Sequence, residues 1–178
     1  MTDYIFQSQR LGFRNWVESD IDTMLQQINN DDSVMEFFPF KPSRKDTEAF
    51  IKRMQQQFAK KGFCYFAVDI TETKEFIGFI GLSEQGYIKD MDSFVDIGWR
   101  LKKSSWNKGY ATEGAIACLK YGFNTIGLKH IYSVAPENNT KSEQVMKKIG
   151  MVKVKTFDHP KLISTPLLTS CVLYQKKS

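Results

Sequence analysis

The residues best placed for chemistry are Trp106-Asn107-Lys108-Gly109-Tyr110-Ala111-Thr112-Glu113, which follow a strand-like run ending in Asp96-Ile97-Gly98-Trp99-Arg100-Leu101. A strand that passes through a short loop into a helix aims free backbone N–H groups, and the positive end of a helix dipole, at one point. Such a point suits a phosphate or pyrophosphate. Gly109 lets the backbone approach a ligand closely, and small Ala111 allows tight packing at the helix start. A plain strand-to-helix turn around a glycine would show the same local pattern. No Gly-Lys-Ser/Thr stands at Walker spacing and no GxGxxG is present, so neither of those phosphate motifs applies.

A second constellation is Ala135-Pro136-Glu137-Asn138-Asn139-Thr140-Lys141-Ser142, just after the next strand-like run. Two parallel strands put both of their C-terminal ends, and both following helix starts, at the same end of a sheet. The two loops should therefore flank one crevice. Taken singly, Asn138, Asn139 and Thr140 would be ordinary helix caps.

These loops need a scaffold, and the hydrophobic spacing supplies one. Gln9 to Trp16 reads as a first strand. Ser19, with Asp22 three residues on, should cap a helix carrying Ile21, Met24, Leu25 and Ile28 on one face. The segment 29–42 is turn-like around Phe37, Phe38 and Phe40. Ser43 with Asp46 should open a second helix, with Phe50, Ile51, Met54 and Phe58 at helical spacing and Gly62 as its stop. Strands are predicted over Cys64–Ile70, Phe76–Ser83 and Phe94–Leu101, then a helix from Tyr110 to Thr125. His130–Ala135 reads as a strand, Thr140–Ile149 as a helix closed by Gly150, and Val152–Phe157 and Leu168–Tyr174 as strands. The unit from Phe94 to Ala135 should make its two strands parallel neighbours. The class is α+β, or α/β-like, with a mixed sheet covered by helices.

The 178 residues suit a single domain, and no repeat or linker divides them. A hydrophobic content of 42% with 25% charged residues is that of an ordinary globular chain. No basic segment followed by an apolar run opens the sequence, so a signal peptide is not expected. The longest uncharged stretch, Leu162 to Gln175, is too short and too polar to span a bilayer. Cys64, Cys118 and Cys171 form no CxxC pair and sit in apolar runs, which fits inert thiols in a reducing cytoplasm. The net charge of +5 suits a small polyanionic ligand, and without a basic stripe it does not mark a nucleic-acid binder. His130 and His159 lack partners at metal-ligand spacing.

Together the two loops resemble the GCN5-related N-acetyltransferases (GNAT), and within them the RimJ/RimL-like branch. That family's phosphate loop has the form Arg/Gln-x-x-Gly-x-Gly/Ala, in this branch close to Trp-Gly-Lys-Gly-Tyr-Ala-Thr-Glu-Ala. Here Asn107 and Gly114 are the departures. The branch's Asn-x-x-Ser and Lys-x-Gly-Phe match Asn139-x-x-Ser142 and Lys148-Ile149-Gly150-Met151. Glu75 to Leu82, Asp96 to Trp99, Phe157 to Pro160 and Val172 to Tyr174 also fit in order, so the resemblance covers nearly the whole chain. It implies a mostly antiparallel seven-stranded sheet with a central splayed parallel pair and about four helices.

The resemblance further implies that acetyl-CoA lies between the Phe94–Leu101 and His130–Ala135 strands, its pyrophosphate on Asn107, Lys108, Gly109, Tyr110, Ala111 and Thr112. Leu101 and the backbone before it would pair with the pantetheine arm, and Asn139 would hold that arm from the other side. Lys102, Lys103, Lys108 and Lys141 are candidates for the remaining phosphate, or ordinary surface lysines. The reaction would be direct attack of a primary amine, from a protein N-terminus such as a ribosomal protein's or from a small molecule, with no metal. Many relatives place a Glu where Val134 stands and a Tyr where Met146 stands, and neither residue here can move a proton. The branch suggests Ser142 as the thiolate-side donor; the alternative is an ordinary first-turn serine. Asp96 shares its strand face with Phe94 and Gly98, and is either the amine-side base or substrate anchor, or else an edge-exposed or Arg-paired carboxylate; Glu84 is the reserve. His159 reads as part of a turn. Phe37, Phe38 and Phe40 either line the acceptor mouth or belong to the core. A non-catalytic acyl-CoA-binding module is the competing function, and the last strand could pair in a homodimer.

Overall fold

Short alternating runs become strands wherever turn residues bound them. The computed structural model describes residues 3–178. The strands are β1 (Phe6–Gln7), β2 (Leu11–Arg14), β3 (Tyr65–Ile70), β4 (Phe76–Gln85), β5 (Phe94–Leu101), β6 (His130–Pro136), β7 (Val152–Asp158) and β8 (Ser170–Lys177). They form one sheet in the order β1-β2-β3-β4-β5-β6-β8-β7, antiparallel throughout except between β5 and β6. The mixed α+β class and the central parallel pair are as expected. The eighth strand is β1, two residues that pair with β2 before the expected start at Gln9.

Among the described residues six α-helices join them: α1 (Asp20–Thr23), α2 (Asp32–Met35), α3 (Arg44–Lys61), α4 (Tyr110–Lys120), α5 (Thr140–Lys148) and α6 (Pro166–Thr169). The turns α2 and α6 fall where a turn-like segment and the start of a strand were expected. Ser43 and Asp46 form the full reciprocal capping box of α3, and Gly62 ends it. Ser19 does not cap α1; its own backbone is helical and its side chain makes no capping bond. The neighbouring Asp20 takes over, its carboxylate accepting from the Val17 N–H and from Arg14. The α1 and α4 helices continue as wider π turns, Met24–Asn29 and Tyr121–Thr125.

The two faces of the sheet are divided between helices. Phe79, Gly81, Ser83 and Gln85 of β4 stand opposite Arg100, Gly98, Asp96 and Phe94 of β5, so these residues share one face. There Phe50 of α3 packs on Trp16, Tyr65 and Phe79. On the other face α4 lies so close that a Cβ at Gly114 would strike Ile80 and touch Leu11 and Phe13. Arg14 ties α1 to the first face by bridging Asp20 and Asp69, all three nearly buried.

Gly78, on the bulge where the β3–β4 register shifts, holds the end of β5 in place. Its φ is +128°, and a Cβ there would run into the Arg100 carbonyl oxygen. Gly78→Ala should therefore lower unfolding free energy by about 3 kcal/mol in urea titration, the sum of backbone strain and overpacking. A variant as stable as wild type would show that β5 is not pinned there.

Candidate active site

β5 and β6 run parallel but share a single ladder pair, Asp96 with Tyr132. The Ser133 hydroxyl donates to the Ile97 carbonyl at 3.0 Å and seals the apex of the gap. That bond shows the Ile97 carbonyl facing β6, so by strand alternation Trp99 and Leu101 face the gap too. The Leu101 carbonyl already accepts from the Trp106 indole at 2.8 Å. What remains on the open edge is the Trp99 N–H and carbonyl and the Leu101 N–H.

A cleft of about 270 Å³ follows this edge. One wall holds Leu101 with Asn107, Gly109, Tyr110, Ala111 and Thr112; the other holds Asn139, Lys141, Ser142 and Lys148. Asn107 has φ +59° and Gly109 φ +80°, both left-handed. Successive N–H groups around such residues converge on one point. Gly109 is the N-cap of α4 and supplies no capping side chain. The first N–H groups of a helix have no partner within it, and no neighbouring acceptor meets those of Tyr110, Ala111 and Thr112. The chain thus orphans a set of donors at a cleft wall, which fits a pyrophosphate. Glu113 sets the helix start: it accepts from the Ser8 hydroxyl at 2.7 Å, the Arg10 N–H at 2.7 Å and Arg10 Nε at 2.6 Å. Desolvation alone would raise its pKa, but these hydrogen bonds outweigh it and hold the carboxyl below its ordinary range.

Across the cleft, Asn139 does cap α5, its side-chain oxygen accepting from the Ser142 N–H at 3.2 Å. The Asn139 amide NH2 and the Ser142 hydroxyl have no partner among the described residues, so both can serve a ligand. Asn138 points away and donates to Leu167. Lys141 lies over the Trp106 ring, 4.9 Å from its centroid. Lys108 is exposed at the loop crest and outside the cleft walls. Lys102 is buried and paired with Glu75, whereas Lys103 is exposed and donates one hydrogen bond to Ser33 at 2.9 Å. Lys148 also lines the wall, placed there by α5 six residues beyond Ser142.

Asp96 sits at that single β5–β6 ladder pair, 7% exposed and outside the cleft walls. It accepts from the Tyr65 hydroxyl at 2.5 Å and the Gln85 amide at 3.3 Å. Burial pushes its pKa up to about 6, against the pull of those two donors. Glu84 lies on the opposite face, paired with Lys61 at 2.9 Å. Met146 is buried, where a proton donor would need a polar partner. His159 packs on Tyr87 at a tilt, with ring centroids 4.3 Å apart, and accepts from the Lys161 N–H, which is a turn and not a reacting group. All three cysteines are free and buried, and burial raises each thiol pKa, Cys171 to about 11. Among the described residues no group of three metal-ligating side chains occurs, and no helix is long and apolar enough to cross a membrane.

Phe37 and Phe38 line the mouth, while Phe40 is exposed. Arg100 was not marked by the sequence pattern. It lines the same cleft, its guanidinium 3.8 Å from the Phe38 ring centroid, and donates to Asn29 at 3.2 Å. Ser133 also escaped notice, because a serine in a strand carries no local signal of a bond to the neighbouring strand.

Comparison with known proteins agrees with this geometry. The acetyltransferase (GNAT) domain family matches residues 10–152. The uncharacterized N-acetyltransferase YnaD of Bacillus subtilis (strain 168) is 31% identical over 140 residues, 78% of this chain and 74% of YnaD. A GNAT-family acetyltransferase from Bacillus anthracis superposes with a TM-score of 0.77 at 27% identity, covering 96% of each chain. A RimL ribosomal L7/L12 alpha-N-protein acetyltransferase in complex with coenzyme A has the same fold, with a TM-score of 0.76 at 13% identity over 98% of both chains. A profile match over most of the chain, joined to a splayed parallel pair with orphaned donors, places this protein in the GNAT acetyltransferase family.

Proposed function

We propose that this protein transfers the acetyl group of acetyl-CoA to a primary amine by direct attack in a ternary complex, as a RimJ/RimL-like member of its family. The observation that carries this reading is the single cleft in which the Asn107–Thr112 donors, the open β5 edge and the Asn139–Ser142 pair face one another. The coenzyme A in the RimL complex, on the same fold, supports it.

Acetyl-CoA, when bound, supplies the activated acetyl group. The N–H groups of Asn107 to Thr112 hold its pyrophosphate, with Lys141 and Lys148 as nearby cations. The Trp99 and Leu101 edge and the Asn139 amide bind its pantetheine arm as an added strand. The Trp99 N–H polarises the acyl carbonyl, and the Ser142 hydroxyl donates to the departing sulfur. Asp96 takes the proton that the amine loses. Its raised pKa makes it a stronger base than an ordinary carboxylate, yet leaves it ionised at neutral pH.

Saturating acetyl-CoA should raise the Tm by about 5 °C or more. Gly109→Asp should remove that shift, since it sets a carboxylate and a strained left-handed residue against the pyrophosphate. An unchanged shift in the variant would move the cofactor elsewhere.

Ser142→Ala should lower kcat about 100-fold while KM for acetyl-CoA stays within about threefold, the mark of a group acting on the leaving sulfur. A wild-type kcat would make Ser142 an ordinary first-turn residue. Val134 and Met146 keep a non-catalytic acyl-CoA-binding module in view. Binding with no release of CoA thiol across an amine panel would establish that module instead.

Asp96 makes a stability prediction of known sign. Its folded pKa of about 6 lies above the unfolded 3.8, so the folded state binds more protons between those values and loses stability as pH rises through them. The cost at neutral pH is roughly 3 kcal/mol. Asp96→Asn should thus raise the Tm at pH 7.5, with the gain fading as pH falls from about 6 towards 4. It should also lower kcat and abolish the acid limb near pH 6 of kcat/KM. A fully active variant that keeps this limb would rule out Asp96 as the base.

A further inference from the structure

Two arginines of this protein sit among buried groups, and only one is answered in kind. Arg14 is answered by two carboxylates: Nε and Nη2 donate to Asp69 at 2.8 and 2.9 Å, Nη1 and Nη2 to Asp20 at 2.8 Å each, and Nη1 also to the Asn15 carbonyl at 3.2 Å. Arg100 has no carboxylate within ion-pair distance among the described residues. Its Nη1 donates to Asn29, whereas its Nε is buried with no acceptor. The guanidinium carbon lies 3.8 Å from the Phe38 ring centroid and 5.5 Å from that of Phe79. Burial pulls its pKa down to about 10, which is the response of a cation lacking a counter-charge.

The unanswered edge is Nε with Nη2. Those two N–H groups are parallel and match the two oxygens of a carboxylate in one plane. A buried cation is costly until such a partner arrives. The residue lines the cleft beside Trp99 and Phe38, on the opposite face of β5 from the Trp99 and Leu101 side chains, in the part of the cleft bounded by the α2 segment. The orphaned backbone donors lie elsewhere, at the start of α4. The pyrophosphate is thus provided for without Arg100, and the arginine is left for the other substrate.

We propose that the amine acceptor is a small aminocarboxylate whose carboxylate docks side-on against Nε and Nη2 of Arg100. Asn29 occupies Nη1 and Phe38 lies against the guanidinium, which leaves Nε and Nη2 as the pair without acceptors. A carboxylate carries one delocalised charge on a planar group, which this single planar cation balances. The proposal rests on the acetyl-transfer reading and narrows its acceptor.

The test is steady-state acetylation of amino acids against their carboxamides, with wild type, Arg100→Gln and Arg100→Lys. Wild type should favour the acids in kcat/KM by about 100-fold, as expected for a charged bidentate hydrogen bond. Arg100→Gln should lose about 100-fold on the acids and stay within about threefold on the amides. Arg100→Lys, which keeps the charge and loses the fork, should fall between. All three should keep the Tm shift given by acetyl-CoA, which separates this role from cofactor binding and from misfolding. Equal use of acids and amides by wild type, or an equal loss of both in Arg100→Gln, would overturn the proposal. Should acetyl-CoA give wild type no shift and no turnover, acetyl transfer itself fails. Thermal stabilisation by the amino acids alone, lost in Arg100→Gln, would then still support the docking, and its absence would overturn it.

Discussion

A parallel pair that stops after one ladder contact exposes backbone that a sheet would ordinarily consume. β5 is bound to β4 through eight register pairs and β6 to β8 through seven, while β5 and β6 share one. Each strand is held by its outer neighbour, and sheet twist carries the two apart. An unpaired buried N–H or C=O is costly, so every group on this edge needs a partner. Ser133 satisfies Ile97 and the Trp106 indole satisfies Leu101. The Trp99 pair and the Leu101 N–H are left without a partner, a short stretch of unused edge along the cleft.

The same end of the sheet gathers the helix starts. α4 opens with no capping side chain, after two left-handed residues, and α5 opens on Asn139, whose side-chain oxygen caps it. Both dipoles favour negative charge at one place. The acidic residue of the first α4 turn, Glu113, is drawn back onto Arg10 and Ser8 and so does not oppose an anion. On the reverse face of β5, Asp96 and Arg100 are both held where burial disfavours their charge. Stability is lower than it could be at each of these points, and each lies beside the cleft.

Much of this was legible because it is local. The Phe94–Leu101 strand keeps its expected bounds, α3 opens and closes on its expected residues, and Gly109 and Asn139 stand at the helix starts to which their types assign them. What could not be read depends on distant partners. Ser19 has cap chemistry, but Arg14 and the Val17 N–H use Asp20 to start the helix another way. Lys102 looks like any loop lysine until the fold brings Glu75 against it. Arg100 is one polar residue in an alternating strand, and only its contacts with Asn29 and Phe38, more than sixty residues away, reveal an unanswered charge. Ser142 and Asp96 occupy intermediate ground: the first lines the cleft, whereas the second lies just behind its apex.

The central claim is that the cofactor binds by completing the unused β5 edge and the N–H cluster at the start of α4. Amide hydrogen exchange with and without acetyl-CoA reads both at single residues. Strong added protection at Trp99, Leu101 and Tyr110 to Thr112, with β2 and β7 unchanged, is the predicted result. Protection confined to other segments, with these amides exchanging as fast as before, would contradict the account.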